Sequence, residues 1–132
     1  MKNYKGFYKE AKGNLPRIYC DMDGVLTDFV KAASKATGQN WEGMRHGQDW
    51  DSIKNTPNFW SNMPWMPGGK QLWGYIKKHN PHILSASVKN NADPNCKPGK
   101  LRWISSNLKL NNSARINLVN RVQKQDYTMI GN

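Results

Sequence analysis

Arg17-Ile18-Tyr19-Cys20-Asp21-Met22-Asp23-Gly24 sets a short β-favouring run against an abrupt acidic turn. Pro16 precedes the run, and Ile and Tyr suit a pleated, half-buried surface, so the spacing predicts a strand that ends at Asp21. Beyond the turn, Val25, Leu26, Phe29, Val30, Ala33 and Ala36 recur at intervals of one, three and four. That pattern predicts a helix running to Thr37, with Gly38 as its C-terminal cap.

Further out the same alternation continues. Residues 39–67 are rich in Trp, Asn, Gly and Pro, too aromatic for a linker and too irregular for one long helix, with a short helix expected over Asp49 to Lys54. Leu72, Trp73, Tyr75 and Ile76 give a helical face that Pro81 terminates, and His82 to Ser87 reads as a second strand. A polar loop from Lys89 to Lys97, a helix from Pro98 that carries Leu101, Trp103, Ile104 and Leu108 to a stop at Asn111-Asn112, and a strand over Ile116 to Val119 follow. Strands alternating with helices predict an α/β fold with a parallel sheet. The first fifteen residues, with Lys, Tyr, Phe and Gly in no sustained period, read as an arm.

The chain has 132 residues and a formal net charge of +11, enough for one domain with its own core. Residues 1–66 carry nine Lys or Arg and seven Asp or Glu, whereas residues 67–132 carry eleven and two. The excess is spread singly rather than in a run, so it points to an anionic ligand more than to a nucleic-acid tail. No apolar run approaches the roughly 20 residues of a membrane span, and the start of the chain has no secretion-signal pattern. The expected setting is the cytoplasm, with no membrane partner. Two cysteines, Cys20 and Cys96, cannot build a disulfide framework or a four-cysteine zinc site, and His46, His79 and His82 lack ligand spacing.

The chemistry concentrates in Asp21 and Asp23. In open α/β sheets ligands bind outside the carboxyl ends of the strands, and Asp21 and Asp23 stand there two residues apart. Gly24 allows a tight bend that offers backbone N–H groups to an anion. Two carboxylates at such a place attract Mg²⁺, a hard cation that takes carboxylate and phosphate oxygens and keeps several waters. Plain helix N-capping also explains an Asp-rich turn before a helix, and physics alone leaves both readings open.

The letters around the pair carry more. Ile18 to Phe29, IYCDMDGVLTDF, resembles the first motif of the haloacid dehalogenase-like (HAD) phosphohydrolases, in which a strand ends in D-x-D-G. The resemblance implies a Rossmann-like HAD core with a parallel sheet, helices on both faces and a small Trp-rich cap inserted after the first motif. Residues 16–30 and 66–132 would form the core, 31–65 the cap and 1–15 the arm. It implies that Asp21 is the nucleophile, that Asp23 is the general acid and base, and that both hold Mg²⁺, Asp23 through its backbone carbonyl. Ser85, ending the second strand, matches the second motif, and its hydroxyl with the N–H of Ala86 would hold phosphate oxygens. SASVK, residues 85–89, is similar to the T-S-P-x-K of the 5′(3′)-deoxyribonucleotidase branch, which puts Lys89 near the phosphate. PNFWSNMPWMPGG, residues 57–69, is similar to that branch's return from cap to core, where aromatics stack on the base; Phe29, Phe59 and Trp60 are the candidates here, against the alternative that they form the cap's own small core.

Two lysines compete for the third motif. The helix around KLRWI resembles one in which the lysine is not catalytic, so Lys100 is expected on a solvated face. Lys124, in RVQKQDY, fits the R-x-x-K-x-x-Y pattern and is the preferred catalytic lysine. The fourth motif, an acidic pair in a strand beside the first, has no counterpart after Lys124, since Asp126 precedes any strand. A core strand is therefore expected to be missing, with weakened metal binding and reduced turnover. The expected function is Mg²⁺-dependent hydrolysis of a small phosphomonoester, a (deoxy)nucleoside 5′-monophosphate first, through an aspartyl-phosphate. The alternative is a catalytically incomplete HAD-like domain that binds a nucleotide, nucleic acid or a protein partner. A homo- or hetero-oligomer that supplies the strand is a third arrangement.

Overall fold

The computed structural model describes residues 7–10, 17–43, 49–89 and 92–120. Four strands, β1 (Phe7–Glu10), β2 (Arg17–Cys20), β3 (His82–Ala86) and β4 (Ile116–Val119), form one sheet in that spatial order. β2, β3 and β4 are parallel, with Cys20 opposite Ile83 and Ile83 opposite Ile116, and this is the mixed α/β architecture that the strand–helix alternation predicts. β1 is the departure. It pairs antiparallel with β2, Phe7 opposite Cys20 and Glu10 opposite Arg17, so part of the expected arm is a sheet strand and the β2 edge away from β3 is covered by the chain itself.

Successive strand residues point to opposite faces. In β3 the consecutive residues Ile83, Leu84 and Ser85 are all buried, so both faces of that strand are covered, as a central parallel strand requires. β4 is half-buried throughout.

The turn after β2 is tightly closed. Met22 O accepts from the N–H groups of Val25, Leu26 and Thr27, and Gly24, at φ +84°, returns its N–H to Thr27 O at 2.8 Å. The first helix, α1 (Phe29–Thr37), therefore starts later than the apolar spacing predicts: Asp28 caps it by accepting from Lys31 N–H at 3.1 Å. Leu26 is buried and Val25 half-buried, so their spacing reports inward-facing side chains, with turn rather than helix as the backbone. Gly38 ends α1 as expected, its N–H on Ser34 O.

A 3₁₀ turn (Trp41–Gly43) and α2 (Trp50–Asn55) follow, the latter capped by Asp49. Hydrogen bonds to Ser52 hold the Asp49 carboxyl below the usual range. The chain then returns through 56–66 and meets its own departure point. Asp28 N–H donates to Pro64 O and Met66 N–H to Leu26 O, on either side of a Thr27–Trp65 bridge, so residues 29–63 leave and re-enter the sheet region through one two-stranded neck.

α3 (Gly69–Ile76) continues as a 3₁₀ turn to His79, Asn80 takes a left-handed conformation, and β3 begins at His82. α4 (Cys96–Trp103) opens before Pro98, which occupies its first turn. It runs on as a π-helical turn to Leu108, with Lys109 in the left-handed conformation rather than Asn111 or Asn112 as its stop. Cys96, expected in a polar loop, is thus buried at the start of α4. One buried cluster joins Cys20, Met22, Leu26 and Ile83 of the sheet region to Trp41, Ile53, Phe59, Trp60 and Met63 of the excursion and to Trp73, Ile76, Trp103 and Ile104 of α3 and the α4 region. Trp103 ties the return segment to α4 through Nε1–H donation to Met63 O at 2.8 Å. Among the described residues no helix is long and apolar enough to cross a membrane.

Candidate functional site

The carboxyl ends of β2 and β3 face a cleft of about 500 Å³ lined by Asp21, Asp23, Phe29, Trp50 and Trp60, with Ala86, Ser87 and Val88 from the end of β3 and beyond. Asp21 leaves β2 half-buried, and its Oδ1 accepts from Met22 N–H at 2.8 Å. Asp23 stands on the closed turn, where Oδ1 accepts from Thr27 Oγ1 at 3.0 Å. Cys20, immediately before the pair, is buried, and burial, with Asp21 adding to it, pushes its thiol up to about 12. Burial also raises the Cys96 thiol, so neither cysteine supplies a thiolate nucleophile to the site.

The centre of the site is a lysine that the sequence places elsewhere. Lys100 is 1% exposed, and its ammonium donates to Asp23 Oδ2 at 2.9 Å, Ser85 Oγ at 2.7 Å and Ala86 O at 2.9 Å. An ammonium has three donors, and all three are used. The Trp60 ring lies 5.4 Å from the same nitrogen. The expected solvated face for Lys100 is therefore corrected. Cys96, Lys100, Trp103 and Ile104 lie at the i, i+4, i+7 and i+8 positions of one buried stripe, so the lysine occupies a core-facing slot. That periodicity was the available signal: a lysine in phase with the apolar residues of its helix is aimed at the core. Lys124, the preferred lysine, and Asp126 lie outside the described residues.

Of the other candidates, Ser85 is fully buried at the end of β3 and reaches the site through Lys100, while Ala86 both lines the cleft and offers its carbonyl. Gly24 is exposed on the turn, but its N–H is bonded to Thr27 O and those of Val25, Leu26 and Thr27 to Met22 O, so the N–H groups expected to face an anion are committed within the turn. Lys89 is exposed beyond β3 and is not among the cleft-lining residues.

The aromatic group divides. Phe29 and Trp60 line the cleft, stacked with centroids 5.7 Å apart. Phe59 is buried behind them, edge-on to both, and supports the wall without lining it. Trp50 is the residue missed. It is 43% exposed at the start of α2, leans on Phe29 at 6.0 Å and Trp41 at 5.0 Å, and completes the wall. A tryptophan in an otherwise polar helix, with Ile53 as that helix's inward anchor, was the signal for it. Trp60 is fixed by an Nε1–H bond to buried Asp93 at 2.9 Å and by Gly99, where an added Cβ would meet Trp60 Cβ at 2.5 Å.

Among the described residues no three Asp, Glu, His or Cys side chains gather as a metal cage. A divalent cation at the end of β2 would rely on Asp21, Asp23, water and substrate oxygens. That is the sparse oxygen set Mg²⁺ accepts, not the nitrogen and sulfur set of zinc. No protein-family model and no curated protein sequence matches this chain.

Proposed function

We propose that the chain is a HAD-type phosphohydrolase that cleaves a small phosphomonoester, with a nucleoside 5′-monophosphate as the first candidate. The observation that carries the proposal is the meeting of Asp23, Ser85 and the Ala86 carbonyl on the Lys100 ammonium, beside Asp21 in one aromatic-walled cleft. Three separate stretches of sequence thereby supply a carboxylate pair, a hydroxyl and a cation at the carboxyl ends of adjacent parallel strands, where open α/β sheets bind ligands. The finer architecture belongs to the same proposal: β2 to β4 as part of a Rossmann-like core, and the excursion from 29 to 63 as its cap.

A carboxylate oxygen of Asp21 attacks phosphorus in line, and the bond from phosphorus to the leaving alcohol oxygen breaks as Asp23, which enters this step in its protonated form, gives that oxygen its proton. Water then opens the aspartyl-phosphate, Asp23 takes the water's proton, and inorganic phosphate leaves with Asp21 restored. Thr27 and Lys100 fix the Asp23 carboxylate between them, which orients it for both transfers. Lys100 takes the role expected of Lys124, as the buried cation beside the charge that develops on the phosphoryl oxygens. Mg²⁺, held by the Asp21 carboxylate and the Asp23 backbone carbonyl, would supply charge neutralisation and Lewis acidity at the phosphate. Phe29, Trp50 and Trp60 offer faces to a planar base, a contact that contributes about 1–3 kcal/mol per base.

The test is release of inorganic phosphate from p-nitrophenyl phosphate and from nucleoside monophosphates, with and without Mg²⁺. The parent chain is expected to turn over only with the cation, and Asp21→Asn to abolish turnover. Turnover that survives Asp21→Asn, or none by the parent with Mg²⁺, would overturn the proposal.

A further inference from the structure

The described residues from 67 to 120 include nine Lys or Arg and one acid, Asp93. Asp93 is 4% exposed and bonds to Trp60, so it offers almost nothing to solvent against the eight cations that remain once buried Lys100 is set aside. An ordinary solvated surface intersperses both signs, and the exposed residues described in this stretch carry only one. The densest part is α3 with its 3₁₀ extension. Gly69, Trp73 and Ile76 face the core, while Lys70, Gln71, Tyr75, Lys77, Lys78 and His79 are exposed. No Asp or Glu lies one helical turn from any of these lysines to pair with it.

Tyr75 gives the patch its character. At 71% it is the most exposed of the large apolar side chains among the described residues, and Lys78 Nζ lies 5.9 Å from its ring. Lys70 Nζ similarly stands 5.8 Å from the ring of half-buried Trp65. An open aromatic ring with a lysine against it, on a helix face that carries further lysines, is the construction that holds unpaired bases by stacking and their phosphates by charge. A lipid surface would call for an apolar strip facing outward, and the apolar strip of α3 faces inward.

We infer that the exposed face of α3 and its 3₁₀ extension binds single-stranded nucleic acid. This surface shares no residue with the cleft, so it stands apart from the proposed hydrolysis.

The test is anisotropy of a fluorescein-labelled 20-mer of oligo-dT with the full chain over a range of NaCl concentrations. Binding is expected at low salt, with log affinity falling linearly against log salt. Lys77→Gln with Lys78→Gln is expected to reduce that slope by about 1.4. Tyr75→Ala is expected to weaken binding roughly tenfold at fixed salt and to leave the slope unchanged. No binding at low salt would overturn the inference. So would Tyr75→Ala binding as the parent does, or equal affinity for polyglutamate of matched charge, since either leaves only attraction to any polyanion. Phosphate release from p-nitrophenyl phosphate and thermal melting should be unchanged in these variants, so loss of binding is read separately from loss of hydrolysis or of fold.

Discussion

Lys100 shows what a single residue reveals about a site. Taking an ammonium out of water is costly unless it is paired and hydrogen-bonded, and here a carboxylate, a hydroxyl and a carbonyl each accept one of its protons. In the proposed hydrolysis the site uses that charge; a methionine would fill the space without the desolvation. Lys100→Met is therefore expected to lower phosphate release by about 10²–10³-fold, the scale of losing one charge-stabilising donor. It should also cost about 1–3 kcal/mol of stability, because Ser85 and the Ala86 carbonyl lose a buried partner. Steady-state assays and urea melts of the same preparation check both, and undiminished turnover would remove Lys100 from the chemistry. Asp21 and Asp23 are legible from their strand and turn letters alone. Lys100 is hidden because a lysine in a helix that also carries Lys97 and Arg102 reads as solvated until its phase with Cys96 and Trp103 is counted.

At the scale of elements, the contact that decides the site is the approach of α4 to the turn bearing Trp60. Gly99 leaves no room for a methyl group: an added Cβ would lie 2.5 Å from Trp60 Cβ and 3.3 Å from Ser61 N. Neither atom belongs to a flexible side-chain end, so accommodation requires α4 to move, and Lys100 is the next residue. Gly99→Ala is expected to cost about 1–3 kcal/mol as an overpacked contact, measured by urea or thermal denaturation, with phosphate release falling alongside. Parent-like stability would mean that α4 and the Trp60 turn are not held this close in solution. The sequence makes β2, β3, β4, α2 and α3 legible, because each joins a burial pattern to a clear stop. It misplaces the start of α1, where apolar spacing continues through a turn, and the start of α4, where Pro98 sits inside the first turn. It conceals β1, because that strand is defined by backbone pairing to β2 and not by any period of its own.

For the molecule as a whole, the burial of Cys20 in the main core makes stability sensitive to alkaline pH. Its thiol is raised from 9.0 to about 12 in the folded chain. The unfolded chain therefore releases that proton first, and the contribution is complete below about pH 9 and is lost as pH rises toward 12. The melting temperature is expected to decline above pH 9, and Cys20→Ala to flatten that decline whatever its melting temperature at neutrality. An unchanged pH dependence in the variant would place Cys20 outside the core. The parallel α/β organisation is legible at this scale from the alternation of strand and helix, but the joint core of sheet and excursion is not, since no local pattern tells which distant tryptophans will meet. The neck at Thr27 and Trp65 carries one more consequence. Because the chain departs and comes back at adjoining points, the order of the sheet strands does not depend on what lies between. Closing a loop whose ends already touch costs little more for a long segment than for a short one. Evolution could lengthen, trim or replace residues 29–63 without rewiring the sheet, and so give the cleft a different roof over the same carboxylates.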